Sequence, residues 1–120
     1  MNLLAWNCQG LRNCRIEREL GEIIQAQVPM IVFLSKTWSS KSRMERIKNT
    51  LEFDGLFTIP SDRRGGGLAL MWKGRDMVWV DSFSKYRIDA IVNSGLESAW
   101  RLTGFLENLI IATRVRGGTC

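Results

Sequence analysis

An amphipathic helix set between two short apolar runs constrains this chain more than any other feature. Leu3, Leu4, Ala5 and Trp6 form the first run, which stops at the polar pair Asn7 and Gln9 just before Gly10. Ile16, Leu20, Ile23, Ile24 and Val28 then recur at helical spacing, with Arg15, Glu17, Arg18, Glu19 and Glu22 between them. That spacing predicts a helix with one buried stripe, capped by Asn13 and ended by Pro29. Met30 to Leu34 is a second apolar run of strand length. Strand, helix and strand in this order imply a right-handed crossover and a parallel pair buried on both faces. The two strands should end side by side, with Asn7 near Ser35, Lys36 and Thr37. Ligands of open α/β sheets sit at the carboxyl ends of the strands, which makes Asn7 and Gln9 candidate site residues. Asn7 equally fits a residue that only closes the turn, through a hydrogen bond from its side chain to the backbone.

The rest of the chain changes character. Ser39 or Ser40 can cap a second helix with Met44, Ile47, Lys48 and Leu51 on one face and Lys41, Arg43 and Arg46 outside. Phe53 to Ile59 reads as a strand ending at Pro60, and Gly67 to Lys73 as another, joined to it by a loop that carries Asp62, Arg63 and Arg64. Two runs around a Gly-rich loop suggest a hairpin or a tight antiparallel connection. Met77 to Val80, Tyr86 to Val92 and Trp100 to Leu106 read as further strands, with Asp81-Ser82 as a turn signal. In the last of these, Arg101, Thr103 and Phe105 share one face. The expected architecture is α/β first and antiparallel β afterwards.

At 120 residues and 45% hydrophobic, the chain suits one globular domain. Its net charge of +5 permits attraction to a polyanion without requiring one. Lys36, Lys41, Arg43, Arg46 and Lys48 lie close together against Glu45 alone, a pattern that also fits a solvated helix face. Three cysteines, Cys8, Cys14 and Cys120, match no disulfide framework or zinc pattern, so reduced thiols in an intracellular protein, the nucleus included, are expected rather than secretion. No apolar run approaches the roughly 18 residues of a membrane span. Histidine is absent, which excludes hydrolysis by a His-containing triad.

Four pieces stand in order: Trp6-Asn7-Cys8-Gln9-Gly10-Leu11, Ile31-Val32-Phe33-Leu34-Ser35-Lys36-Thr37, Gly66-Gly67-Leu68-Ala69-Leu70-Met71-Trp72 and Trp100-Arg101-Leu102-Thr103-Gly104-Phe105. Together they resemble the amino-terminal half of the endonuclease/exonuclease/phosphatase superfamily, specifically the plant LINE-type endonuclease domain of non-LTR retrotransposons. The resemblance assigns residues 1–106 to a partial domain of this kind and leaves 107–120 as a divergent carboxyl-terminal tail. It implies a four-layer α/β sandwich, of which this chain would hold one half: a mixed sheet with helices on its outer face. It also implies a magnesium-dependent phosphodiesterase that nicks DNA.

By the same resemblance, Asn7 orients the metal and the scissile phosphate, and Gln9 holds a position where an acidic residue can assist. Lys36 stands where the family has its metal-binding Glu, before Thr37. The later Asp-x-Asn motif, the distal Asp and the distal His are not present, and Leu106 replaces an aromatic residue. Magnesium takes hard oxygen ligands, and an ammonium offers no lone pair. Two like unit charges about 4 Å apart repel by about 4 kcal/mol at an effective dielectric of 20. The expectation is therefore a truncated, inactive relative of a metal-dependent DNA endonuclease, with no cofactor of its own. A second reading is a module that binds nucleic acid without catalysis, in which Arg12, Lys36, Arg63 and Arg64 contact phosphates and Trp38 stacks on a base. A third is an active nuclease completed by a partner chain. Half a sandwich would leave an apolar sheet face uncovered, so self-association through that face is also expected.

Overall fold

The computed structural model describes residues 3–11, 13–62, 66–93 and 99–106, with the backbone of 109–112. Its elements follow as β1 (Leu3–Asn7), α1 (Cys14–Gln27), β2 (Ile31–Ser35), α2 (Lys41–Thr50), β3 (Gly55–Ile59), β4 (Leu68–Trp72), β5 (Val78–Ser84), β6 (Arg87–Val92), β7 (Trp100–Phe105) and β8 (Leu109–Ala112).

Both helices start where the sequence places a cap. The Asn13 side chain accepts a hydrogen bond from the Arg15 amide at 2.9 Å, and the Ser40 hydroxyl accepts one from the Arg43 amide at 3.3 Å. α1 ends at Val28, in the left-handed region at φ 46°, whose N–H donates to the Ile24 carbonyl before Pro29 stops the helix. Leu20 and Ile24 of α1 and Met44 and Ile47 of α2 are buried against Val32, Leu34, Ala69 and Met71 of the first sheet. Full burial of each such side chain is worth about 1.5–3 kcal/mol.

The first sheet has the order β1-β2-β4-β3. β1 and β2 run parallel in the expected register, Asn7 opposite Ser35, and β4 runs antiparallel to both β2 and β3. The second sheet is an antiparallel meander, β5-β6-β7-β8. Ile31, Phe33, Leu68, Leu70 and Trp72 from the first sheet bury Ile88, Ala90, Val92 and Leu102 from the second. Gly104 lets the sheets approach, since a Cβ at that position would fall on the Phe33 ring. The described residues thus form three layers, helices on sheet on sheet, a mixed α/β fold that is part of an α/β sandwich.

Four expectations change. Phe53 fills the core after α2, and β3 begins only at Gly55. β1 is not buried on both faces. It lies at the edge of its sheet, with Ala5 exposed, and only β2 and β4 are buried throughout. Asp81 and Ser82 do not turn the chain but lie inside β5, where the register shifts between Val80 and Ser82, and the turn falls at Lys85 and Tyr86. The reason given for self-association is also corrected, because the two apolar inner faces cover each other. The face left open among the described residues is the outer face of the second sheet, and it carries a charged network. Arg101 Nη1 donates to Asp89 Oδ1 at 2.7 Å and to Asp81 Oδ2 at 3.3 Å, and the Thr103 hydroxyl donates to the same Asp89 oxygen. The hydrogen bond to Asp89 raises the Arg101 pKa above its ordinary value. No helix among the described residues is long and apolar enough to cross a membrane.

Candidate functional site

Parallel register brings the ends of β1 and β2 together, and the two loops that follow stay bonded to each other. Cys8 N–H donates to the Ser35 carbonyl at 2.9 Å, Gly10 N–H to Lys36 at 3.1 Å and Leu11 N–H to Thr37 at 2.8 Å. The segment entering β4 closes the third side: Thr37 N–H donates to the Gly67 carbonyl at 3.2 Å and Trp38 N–H to Gly66 at 3.0 Å. Ser61 N–H reaches the Ser39 carbonyl at 3.2 Å, tying in the loop after β3. The turn between β5 and β6 lies at the same end, through a 3.7 Å ion pair of Lys85 with Asp62. Asn7, Gln9, Lys36 and Trp38 therefore gather at one end of the first sheet. Arg12, Arg63 and Arg64, expected to contact phosphates, lie outside the described residues.

Backbone strain is concentrated here. Gln9 (φ 49°), Lys36 (φ 51°) and Trp38 (φ 47°) all adopt the left-handed region that disfavours a Cβ, beside Gly10, Gly66 and Gly67 at φ 112°, 82° and 94°. Each non-glycine residue so held costs about 1–2 kcal/mol, and such clusters mark sites whose surroundings hold them in place. The amides of Cys8, Gly10, Leu11, Thr37 and Trp38 are spent on backbone bonds within the chain, so this end is a braced platform more than an open cradle of N–H groups. Trp38 is half-buried and its six-membered ring packs on Gly10, where a Cβ would come within 2.8 Å.

Two residues at this end escape sequence reasoning. Thr37 is 0% and Ser39 1% exposed, and their hydroxyls have no hydrogen-bond partner among the described residues. Hydroxyl residues after a strand read as ordinary loop, and the alternation Lys36-Thr37-Trp38-Ser39 is the one trace that two of the four point inward. Cys8, just after β1, is buried in the helix-side core, and desolvation pushes its thiol up to about 12. Cys14, by contrast, is exposed. Iodoacetamide at pH 8 should label Cys14 at least about 100-fold faster than Cys8 in the native protein, because the thiolate is the reactive form. Mass spectrometry of the peptides checks this, and equal labelling would mean that the end of β1 opens.

Magnesium, which the resemblance implies, does not fit the residues at this end. Asn7 and Gln9 offer amide oxygens, Ser35 and Thr37 hydroxyls, and Lys36 an ammonium, whereas a protein site for magnesium usually rests on one or two carboxylates. Among the described residues no three His, Cys, Asp or Glu side chains are grouped to hold a metal ion. Asp81 and Asp89, which lie in strands of the second sheet, both bind Arg101 on the outer side of that sheet.

No protein-family model matches the sequence, and no curated protein does so either. Among solved structures, the crystal structure of an AP endonuclease from Leishmania major superposes on 96% of this chain with a TM-score of 0.58 and 14% sequence identity. The chain spans 40% of the length of that one. What the two share at this identity is the arrangement of strands and helices: the chain has a fold similar to part of an AP endonuclease.

Proposed function

We propose that the chain is a catalytically silent relative of a metal-dependent DNA endonuclease of the endonuclease/exonuclease/phosphatase superfamily, of the kind carried by plant non-LTR retrotransposons. The fold likeness supports the nuclease ancestry. The observation that carries the silence is Lys36, a cationic residue in the left-handed loop that leaves β2, beside the end of β1. Metal-assisted phosphodiester hydrolysis needs a cation to polarise a phosphoryl oxygen or to make the attacking hydroxide. A lysine at the position where the resemblance expects a carboxylate ligand repels such a cation.

Plasmid nicking tests the reading. The purified chain in magnesium should leave supercoiled DNA intact, and so should Lys36→Glu, because one carboxylate restores neither the acidic partner at Gln9 nor the missing histidine. Metal-dependent nicking by the unaltered chain would contradict the proposal and favour a site completed from elsewhere.

Binding of nucleic acid without catalysis is the second reading, favoured by the gathering of Lys36 and Trp38 at one end of the sheet. It requires an affinity that falls steeply with salt, since each neutralised phosphate releases counterions. A filter-binding titration with no retention at low salt would remove it.

A further inference from the structure

A groove of about 430 Å³ runs along the free edge of the first sheet, between β3 and α2. Leu56, Phe57 and Thr58 form its strand side, and one stripe of α2, made of Lys41, Glu45, Lys48 and Asn49, forms its helix side. Among the described residues β3 is hydrogen-bonded only to β4, so its other edge presents backbone donors and acceptors that no described strand pairs. α2 divides its cations between two faces. Arg46 is bound to Glu17 of α1 at 3.2 Å, while Lys41 and Lys48 line the groove with Glu45 between them.

We infer that this groove takes an extended acidic peptide as a fifth strand of the first sheet, paired to β3 and seated under α2. An edge strand beside a helix is the geometry of strand addition, in which the main chain gives affinity and alternate side chains give specificity. A phosphate backbone could meet the lysines but not the ladder of β3, which is why a peptide is favoured over a nucleic acid. Lys41 and Lys48 are seven helical positions apart, about 10.5 Å along the axis. Carboxylates four positions apart on one face of a strand are about 13 Å apart, a difference that flexible lysine stems absorb. The residue midway between them meets Glu45 and is neutral in the best ligand.

The probe is a fluorescein-labelled peptide, Val-Glu-Val-Thr-Val-Glu-Val, with blocked ends, read by anisotropy on the whole chain and by amide shifts. Saturable binding with shifts centred on β3 is expected. Charge reversal of both lysines, K41E with K48E, should weaken it about tenfold, and K41R with K48R should not. A peptide of the same charge, N-methylated at alternate backbone positions, should not bind. No binding at about 1 mM, equal affinity for the N-methylated peptide, or β3 shifts produced by a single-stranded oligonucleotide and not by the peptide would each overturn the inference.

Discussion

Gly104→Val is expected to destabilise the fold by about 3 kcal/mol or more, a large share of the roughly 5–15 kcal/mol that holds a domain together. The reason lies between the two sheets. Any Cβ at position 104 falls on the Phe33 ring, and Phe33 is itself buried among Ile31, Leu70 and Leu102, with nowhere to move. Urea unfolding followed by circular dichroism measures the loss. Truncating the ring should relieve it, so Phe33→Leu combined with Gly104→Val should be less damaging than the sum of the two changes. Strict additivity would mean that the sheets do not meet at this point.

Gly67→Ala should cost about 2–4 kcal/mol and act where the candidate site is braced. The residue is buried at φ 94°, a conformation an L side chain resists, and its new methyl group would fall on the Thr37 hydroxyl. Gly66 provides the control. It has φ 82° with nothing within 4 Å of an added Cβ, so Gly66→Ala carries the backbone cost alone, about 1 kcal/mol. Chemical denaturation of the two variants should separate them, and the Thr37 amide shift should move more for Gly67→Ala than for Gly66→Ala, whose carbonyl is bonded to the Trp38 amide instead. Equal losses would show that the contact of Gly67 with Thr37 is not what orders the loop.

Much of the first sheet was legible from residue order. The stripe on α1, the cap at Asn13, a cap at Ser39 or Ser40 that the structure assigns to Ser40, and the unbroken apolar run of β2 each follow from a local rule, and the crossover then places Asn7 opposite Ser35. The insertion of β4 between β2 and β3 was not legible, since both inner strands are apolar throughout and nothing in their composition ranks their neighbours. β5 was cut short at Asp81-Ser82 because the open outer face of its sheet admits the same polar residues that make turns. Phe53 reads as strand because it is apolar and adjoins the run to Ile59, whereas it fills the core after α2 and the strand begins at Gly55.

At the candidate site, Asn7, Gln9, Lys36 and Trp38 could be brought together on paper because parallel register does so automatically. The positive φ values of Gln9, Lys36 and Trp38 could not, since none of these residue types signals a left-handed backbone. Nor could the burial of Thr37 and Ser39, which depends on the approach of Gly67 and Ser61 from distant parts of the chain. The likeness to an AP endonuclease structure is likewise one of strand and helix arrangement, which does not extend to residue chemistry at 14% identity.

We propose that this end of the sheet does not attract a divalent cation. Manganese, which takes the same oxygen ligands as magnesium and broadens nearby amide signals, tests it most directly. Titrated into the labelled protein, it should cause no selective broadening at Asn7, Gln9, Lys36 and Thr37 beyond that seen at exposed carboxylates such as Glu22 and Asp76. Selective loss of those four signals at manganese concentrations that leave the rest of the spectrum intact would contradict the account.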